Sequence, residues 1–159
     1  MTEEYTAKEI VKIAIDIEEM GKEFYITMAK KTNHEELRNV FYFLAQEEAG
    51  HKETFENLYE TIDEIVMTET EWSDEYEAYF KAIASQFLFT PELIKRRSAT
   101  GFSSTEEAVD FALQLEKDAV LTYGTLSNRV SEKAQNVITS IIAEEQKHIA
   151  RLVALKQQI

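Results

Sequence analysis

The sequence predicts an all-α fold: an antiparallel four-helix bundle of two helical hairpins, joined by a long crossover that contains a short helix. Three observations carry this. Apolar residues recur in three- and four-residue steps over stretches longer than any ordinary strand. Four glycines and a single proline, Pro91, offer too few turns for a many-stranded β fold. The chain also repeats itself. Ala14-Ile-Asp-Ile-Glu18 resembles Ala112-Leu-Gln-Leu-Glu116, and the register continues through Tyr25 with Tyr123, Asn39-Val40 with Asn136-Val137, Glu47-Glu48 with Glu144-Glu145, and His51 with His148, one residue being dropped at the turn between them.

The first helix begins after Thr6, which forms a capping box with Glu9, and its inner face is Ile10, Ile13, Ala14, Ile17, Gly21, Phe24 and Met28. A short break at 31–34 precedes the second helix, for which Asn33 is the expected N-cap with Glu36 three residues on. Its inner face runs through Leu37, Val40, Phe41, Leu44, Phe55, Leu58 and Ile62. So short a break makes the two helices antiparallel. Residues 67–103 form the crossover, with Tyr76, Tyr79, Phe80, Ile83 and Phe87 on one short amphipathic helix that stops near Pro91. The third helix starts after Ser103 or Ser104, capped with Glu106 or Glu107, and carries Val109, Ala112, Leu113, Leu115 and Leu126. A fourth starts near Ser131 and carries Val137, Ile138, Ile141, Ile142, Ile149, Leu152 and Leu155. The expected organisation is one domain over residues 1–159, long enough to bury a core without disulfides.

Thirty acids against 17 bases give a formal net charge of −13, which repels phosphate backbones and anionic lipid, so neither nucleic acid nor membrane is an expected partner. The small basic cluster Lys95, Arg96, Arg97 reads as a solvated loop. No cysteine is present, which excludes zinc-thiolate sites, iron–sulfur clusters, disulfides and thiol catalysis. The N-terminus lacks a basic stretch followed by an apolar run, and no stretch has the apolar length of a membrane span. A cytoplasmic location is the expectation.

Chemistry concentrates in two pairs, Glu48-Ala-Gly-His51 and Glu145-Gln-Lys-His148. A spacing of three puts carboxylate and imidazole on one helix face, within reach of one ion. With 25 glutamates in the chain, one such pair alone means little. The placement of Glu18 and Glu116 strengthens it. Glu18 and Glu48 are nearly equidistant from the first turn, both roughly 22 Å along their helices, and Glu116 and Glu145 are likewise equidistant from the second. The repeat therefore brings four carboxylates and two imidazoles to one level. Each buried unpaired carboxylate costs several kcal/mol, so such a cluster is tolerable only if cations neutralise it, and two divalent ions balance four carboxylates. One imidazole per ion shifts the preference from magnesium or calcium toward iron, manganese or zinc.

Glu18 with Tyr25 seven residues on, the run Leu44-Ala-Gln-Glu-Glu-Ala-Gly-His51, Glu116 with Tyr123, and Ile142-Ala-Glu-Glu-Gln-Lys-His148 resemble the rubrerythrin branch of the ferritin-like di-iron carboxylate proteins, along essentially the whole chain. The resemblance implies two iron ions, with Glu48 and Glu145 bridging them and Glu18 with His51, and Glu116 with His148, as terminal ligands. Two features depart from that family. The cysteines of the rubredoxin domain that rubrerythrins usually append are absent, and Ala119 stands where they carry an extra glutamate. Gly21 and Ala119, equivalent in the repeat, either leave a pocket for dioxygen or peroxide or simply let helices pack closely.

Tyr25 and Tyr123 are the candidate catalytic residues, each hydroxyl placed to bond a ligand carboxylate and support redox chemistry; core packing with a satisfied hydroxyl is the alternative. His34 reads as a surface residue. Trp72 and the aromatics from Tyr76 to Phe89 cover one side of the bundle or join a dimer. The leading functional expectation is an oxidoreductase in which a di-iron centre reduces hydrogen peroxide or dioxygen with electrons from a separate donor protein, the chain acting as a homodimer. Iron storage with ferroxidase chemistry in an oligomeric shell, and a non-redox protein holding zinc or manganese, are the alternatives.

Overall fold

In the computed structural model, residues 7–61, 96, 101–128 and 130–159 are described. Among them are four helices and no strand: α1 (Ala7–Lys31), α2 (Glu35–Thr61), α3 (Thr105–Ser127) and α4 (Glu132–Lys156). The capping role of Thr6 and the crossover with its short helix, Trp72 and Pro91 lie outside the described residues. None of the four helices is long and apolar enough to cross a membrane.

The turn between α1 and α2 corrects one expectation. His34, not Asn33, caps α2: its Nδ1 accepts from Leu37 N at 3.3 Å and its carbonyl accepts from Arg38 N at 3.0 Å. A neutral imidazole nitrogen can do what an asparagine oxygen does, provided that it stands directly before the first helical residue. The Arg38 guanidinium closes the same turn by donating to the Thr32 carbonyl at 3.0 Å. Ser104 caps α3 by accepting from Glu107 N, while the Glu107 carboxylate reaches back to Ser103 N at 2.7 Å. Ser131 caps α4 by accepting from Ala134 N at 3.4 Å.

The periodic positions point inward as their spacing requires. Ala14, Ile17 and Phe24 of α1, Leu37, Phe41, Leu44 and Phe55 of α2, Val109, Ala112 and Leu126 of α3, and Ile138, Ile141 and Leu152 of α4 are all buried, whereas Ile13, Val40, Val137, Ile142 and Ile149, also expected on the inner faces, flank the core half-buried. Helix α1 lies along α2 and α3 along α4, and the two hairpins join chiefly across α1 and α3. Aromatic rings knit that seam. Tyr25 stacks on Phe41 at 5.8 Å between centroids, and Tyr123 packs on Phe55 at 4.9 Å. Helices α2 and α4 approach each other at fewer positions and meet at the stacked His51 and His148 rings.

Candidate metal centre

Glu18, Glu48, His51, Glu116, Glu145 and His148 converge midway along the bundle, and none is more than 4% exposed. They form two four-membered groups, Glu18–Glu48–His51–Glu145 and Glu48–Glu116–Glu145–His148, with the candidate ligand atoms of each group within 4.8 Å of one another. The groups share Glu48 and Glu145. His51 Nδ1 lies 2.8 Å from Glu145 Oε1 and 3.6 Å from Glu18 Oε2. His148 Nδ1 lies 3.0 Å from Glu145 Oε2, 3.5 Å from Glu48 Oε1 and 3.6 Å from Glu116 Oε2. Both imidazoles thus turn Nδ1 toward the carboxylates, and the rings stack with centroids 5.5 Å apart.

The electrostatics are those of a site made for cations. Burial, then repulsion from Glu145, holds the Glu48 carboxyl well above the ordinary range, and the same two causes push Glu116 up to about 8. Burial disfavours charge on both imidazoles, but Glu145 and Glu18 outweigh it at His51, pushing it up to about 11, and Glu116 and Glu145 push His148 up to about 10. Glu18 Oε2 and Glu48 Oε1 are buried without a hydrogen-bond partner. Orphaned atoms of this kind are rare in folded proteins. Four carboxylates, one imidazole for each group and orphaned atoms facing a common space fit a pair of divalent ions sharing Glu48 and Glu145.

Tyr25 and Tyr123 sit two turns from Glu18 and Glu116 on their own helices, but each reaches across to the other hairpin. The Tyr25 hydroxyl donates to Glu116 Oε1, and the Tyr123 hydroxyl donates to Glu18 Oε1. Burial, then the facing glutamate, raises both phenols well above their ordinary value, so each stays protonated and remains a donor. The repeat makes the exchange reciprocal.

Two further carboxylates were not singled out in the sequence. Glu144 Oε2 lies 2.6 Å from His51 Nε2, and Glu47 Oε2 lies 3.7 Å from His148 Nε2. At His51 the Glu144 acceptor favours the tautomer with its proton on Nε2, which leaves the Nδ1 lone pair for a metal, whereas Glu47 stands beyond hydrogen-bond reach and His148 Nε2 is buried without a hydrogen-bond partner. The repeat aligned Glu47 with Glu144, but only the crossing of α2 over α4 shows that each lies beside the histidine of the other helix.

Gly21 and Ala119 border a cavity of about 10 Å³, with Tyr25, Glu48 and Glu116 on its walls, room for about one water. A Cβ at Gly21 would stand 3.4 Å from Glu48 Oε2, an ordinary van der Waals contact with a side chain rather than with a neighbouring helix backbone. Of the two expected roles, a small cavity is present, and close helix packing is not what this glycine provides.

An antiparallel bundle in which two glutamates are common to two buried Glu/His groups fits a helical protein with a di-metal carboxylate site. The rubrerythrin family model matches residues 9–156, and the chain belongs to that family. In fold it is similar to a Thermotoga maritima crystal structure provisionally described as a ferritin-like diiron-carboxylate protein, at 24% identity and a TM-score of 0.67, covering 96% of this chain and 95% of that one. No curated protein matches the sequence.

Proposed function

We propose that the protein is an oxidoreductase whose two ions are iron and whose substrate is hydrogen peroxide or dioxygen, with electrons delivered by a separate donor protein. The observation that carries this reading is the sharing of Glu48 and Glu145 between two Glu/His groups. A structural zinc needs a closed shell of four ligands and no second ion. A pair of iron ions held there supplies two electrons to an oxidant, which a single ion does less readily. Glu18 with His51 would hold one ion and Glu116 with His148 the other, and Tyr123 and Tyr25 orient the two terminal carboxylates through their hydroxyls. The cavity beside Glu48 and Glu116 has room for about one water, which favours a very small oxidant over an organic substrate.

The test is stopped-flow oxidation of metal-free protein loaded with two equivalents of ferrous iron, mixed separately with peroxide and with oxygenated buffer. Oxidation much faster than that of free iron is expected with at least one of them. Oxidation no faster than free iron in either case sinks the reading.

A further inference from the structure

The two-fold repeat is broken at one place that bears on how ions reach the buried centre. On the His148 side, the Arg151 guanidinium lies over the Phe43 ring, 4.0 Å from its centroid. The repeat equivalents of Arg151 and Phe43 are Thr54 and Ser140. These small polar residues line a groove of about 400 Å³ between α2 and α4, together with Asn136 and Glu144 and the apolar Val137 and Ile141, and His51 also lines it. Asn136 and Ser140 are exposed. The Glu144 side chain is 44% exposed at one end of its contact with the 5% exposed His51 side chain. The cavity of about 10 Å³ between Gly21 and Ala119 is too small to pass a hydrated ion.

We propose that divalent cations enter and leave the centre through the α2–α4 groove on the His51 side, with Glu144 as their first carboxylate ligand. The inference rests on the two-metal reading of the centre, but not on the reaction proposed for it. A hydrated ion meets hydroxyls, an amide and one half-exposed carboxylate, and loses water stepwise before reaching Glu18, Glu145 and His51. On the opposite side, the stacked pair of Arg151 and Phe43 fills the equivalent position, and the guanidinium repels cations there. A transit ligand speeds entry and exit alike and leaves the equilibrium unchanged. A residue that merely orients His51 alters affinity instead.

The experiment follows cobalt(II) uptake by the metal-free full chain through its visible absorption in stopped flow, and release into excess chelator, with affinity from equilibrium titration. In Glu144→Gln, whose amide oxygen still accepts from His51 Nε2 and keeps the ring's tautomer while the charge is lost, uptake and release both slow by about tenfold and two ions still bind with unchanged affinity. Thr54→Leu/Ser140→Phe, which fills the groove without adding charge, slows both rates in the same way. Glu53→Gln removes a charge from an exposed position of α2 and leaves both rates as they are. Uptake at the wild-type rate in the filled-groove variant overturns the route. Weakened affinity with unchanged uptake in Glu144→Gln shows an orienting role and overturns the transit role. A wild-type chain that takes up no cobalt overturns the two-metal reading itself, and the route falls with it.

Discussion

Glu48 and Glu145 differ from the other four residues of the centre because each belongs to both groups of candidate ligands. Glu145→Gln should therefore lower binding from two ions per chain to one or fewer, whereas Glu116→Gln should weaken one ion and spare the other; elemental analysis after dialysis separates the two outcomes. Tyr123→Phe removes the hydroxyl that donates to Glu18 and leaves a buried carboxylate oxygen short of a partner. Hydrogen bonds to charged groups contribute about 1.5–3 kcal/mol, so a loss of that size in urea denaturation of the metal-loaded protein is expected. Gly21→Ala sets two effects against each other. Alanine favours a helix interior by about 1 kcal/mol over glycine, and a contact at 3.4 Å is within ordinary van der Waals range. The variant should thus be slightly more stable, keep two ions and oxidise ferrous iron more slowly because the small cavity is narrowed. Melting temperature and stopped-flow rate measured on one preparation decide it.

At the level of elements, the caps show how far local pattern reaches. Ser104 with Glu107 and Ser131 with Ala134 follow the spacing of serine caps; the sequence narrowed the first to Ser103 or Ser104 and placed the second near Ser131, and the structure selects Ser104 and Ser131. Ser104→Ala should cost about 1 kcal/mol of stability, measurable as a shift in urea midpoint at unchanged slope. His34 escaped the same reading because asparagine is the commoner cap and histidine is seldom considered one. The turn geometry, with Arg38 reaching back to Thr32, selects residue 34 over 33 as the last non-helical position. Between elements, the repeat predicted which helices meet. It did not predict that Tyr25 and Tyr123 would cross to the opposite hairpin, because a periodic pattern fixes a face and not the partner facing it.

For the whole molecule, the buried charges tie stability to pH and to metal. In the metal-free chain Glu116 holds its proton up to about pH 8, while an unfolded chain releases it in the ordinary carboxyl range. Folding therefore binds a proton between those limits, and stability falls as pH rises through that window. His51 and His148 act in the same direction. Their charged forms persist to about 11 and about 10, so the stability they contribute is complete below the ordinary imidazole value and is lost as pH climbs through the folded values. The urea midpoint of metal-free protein should decline steadily from pH 5 to 9. Ions bind the deprotonated ligands, release protons and stabilise by about 2.7 kcal/mol per site at a hundredfold excess over the dissociation constant. The gap between loaded and metal-free midpoints should widen across the same range, and a gap independent of pH would contradict this account.

Helix identity, the repeat, the buried faces and the six residues of the centre followed from sequence, because each depends on spacing along one helix or on equivalence between two. Residues three apart share a face in any α-helix, and equal distances from a turn bring glutamates level in any hairpin. Relations between helices that no period encodes were left to the tertiary structure: Glu144 beside His51, the tyrosines exchanged between hairpins, and the groove left open by Thr54 and Ser140 where Arg151 and Phe43 fill the other half. Those depend on how α2 crosses α4 and α1 meets α3, and crossing is set by the packing of all the side chains at once.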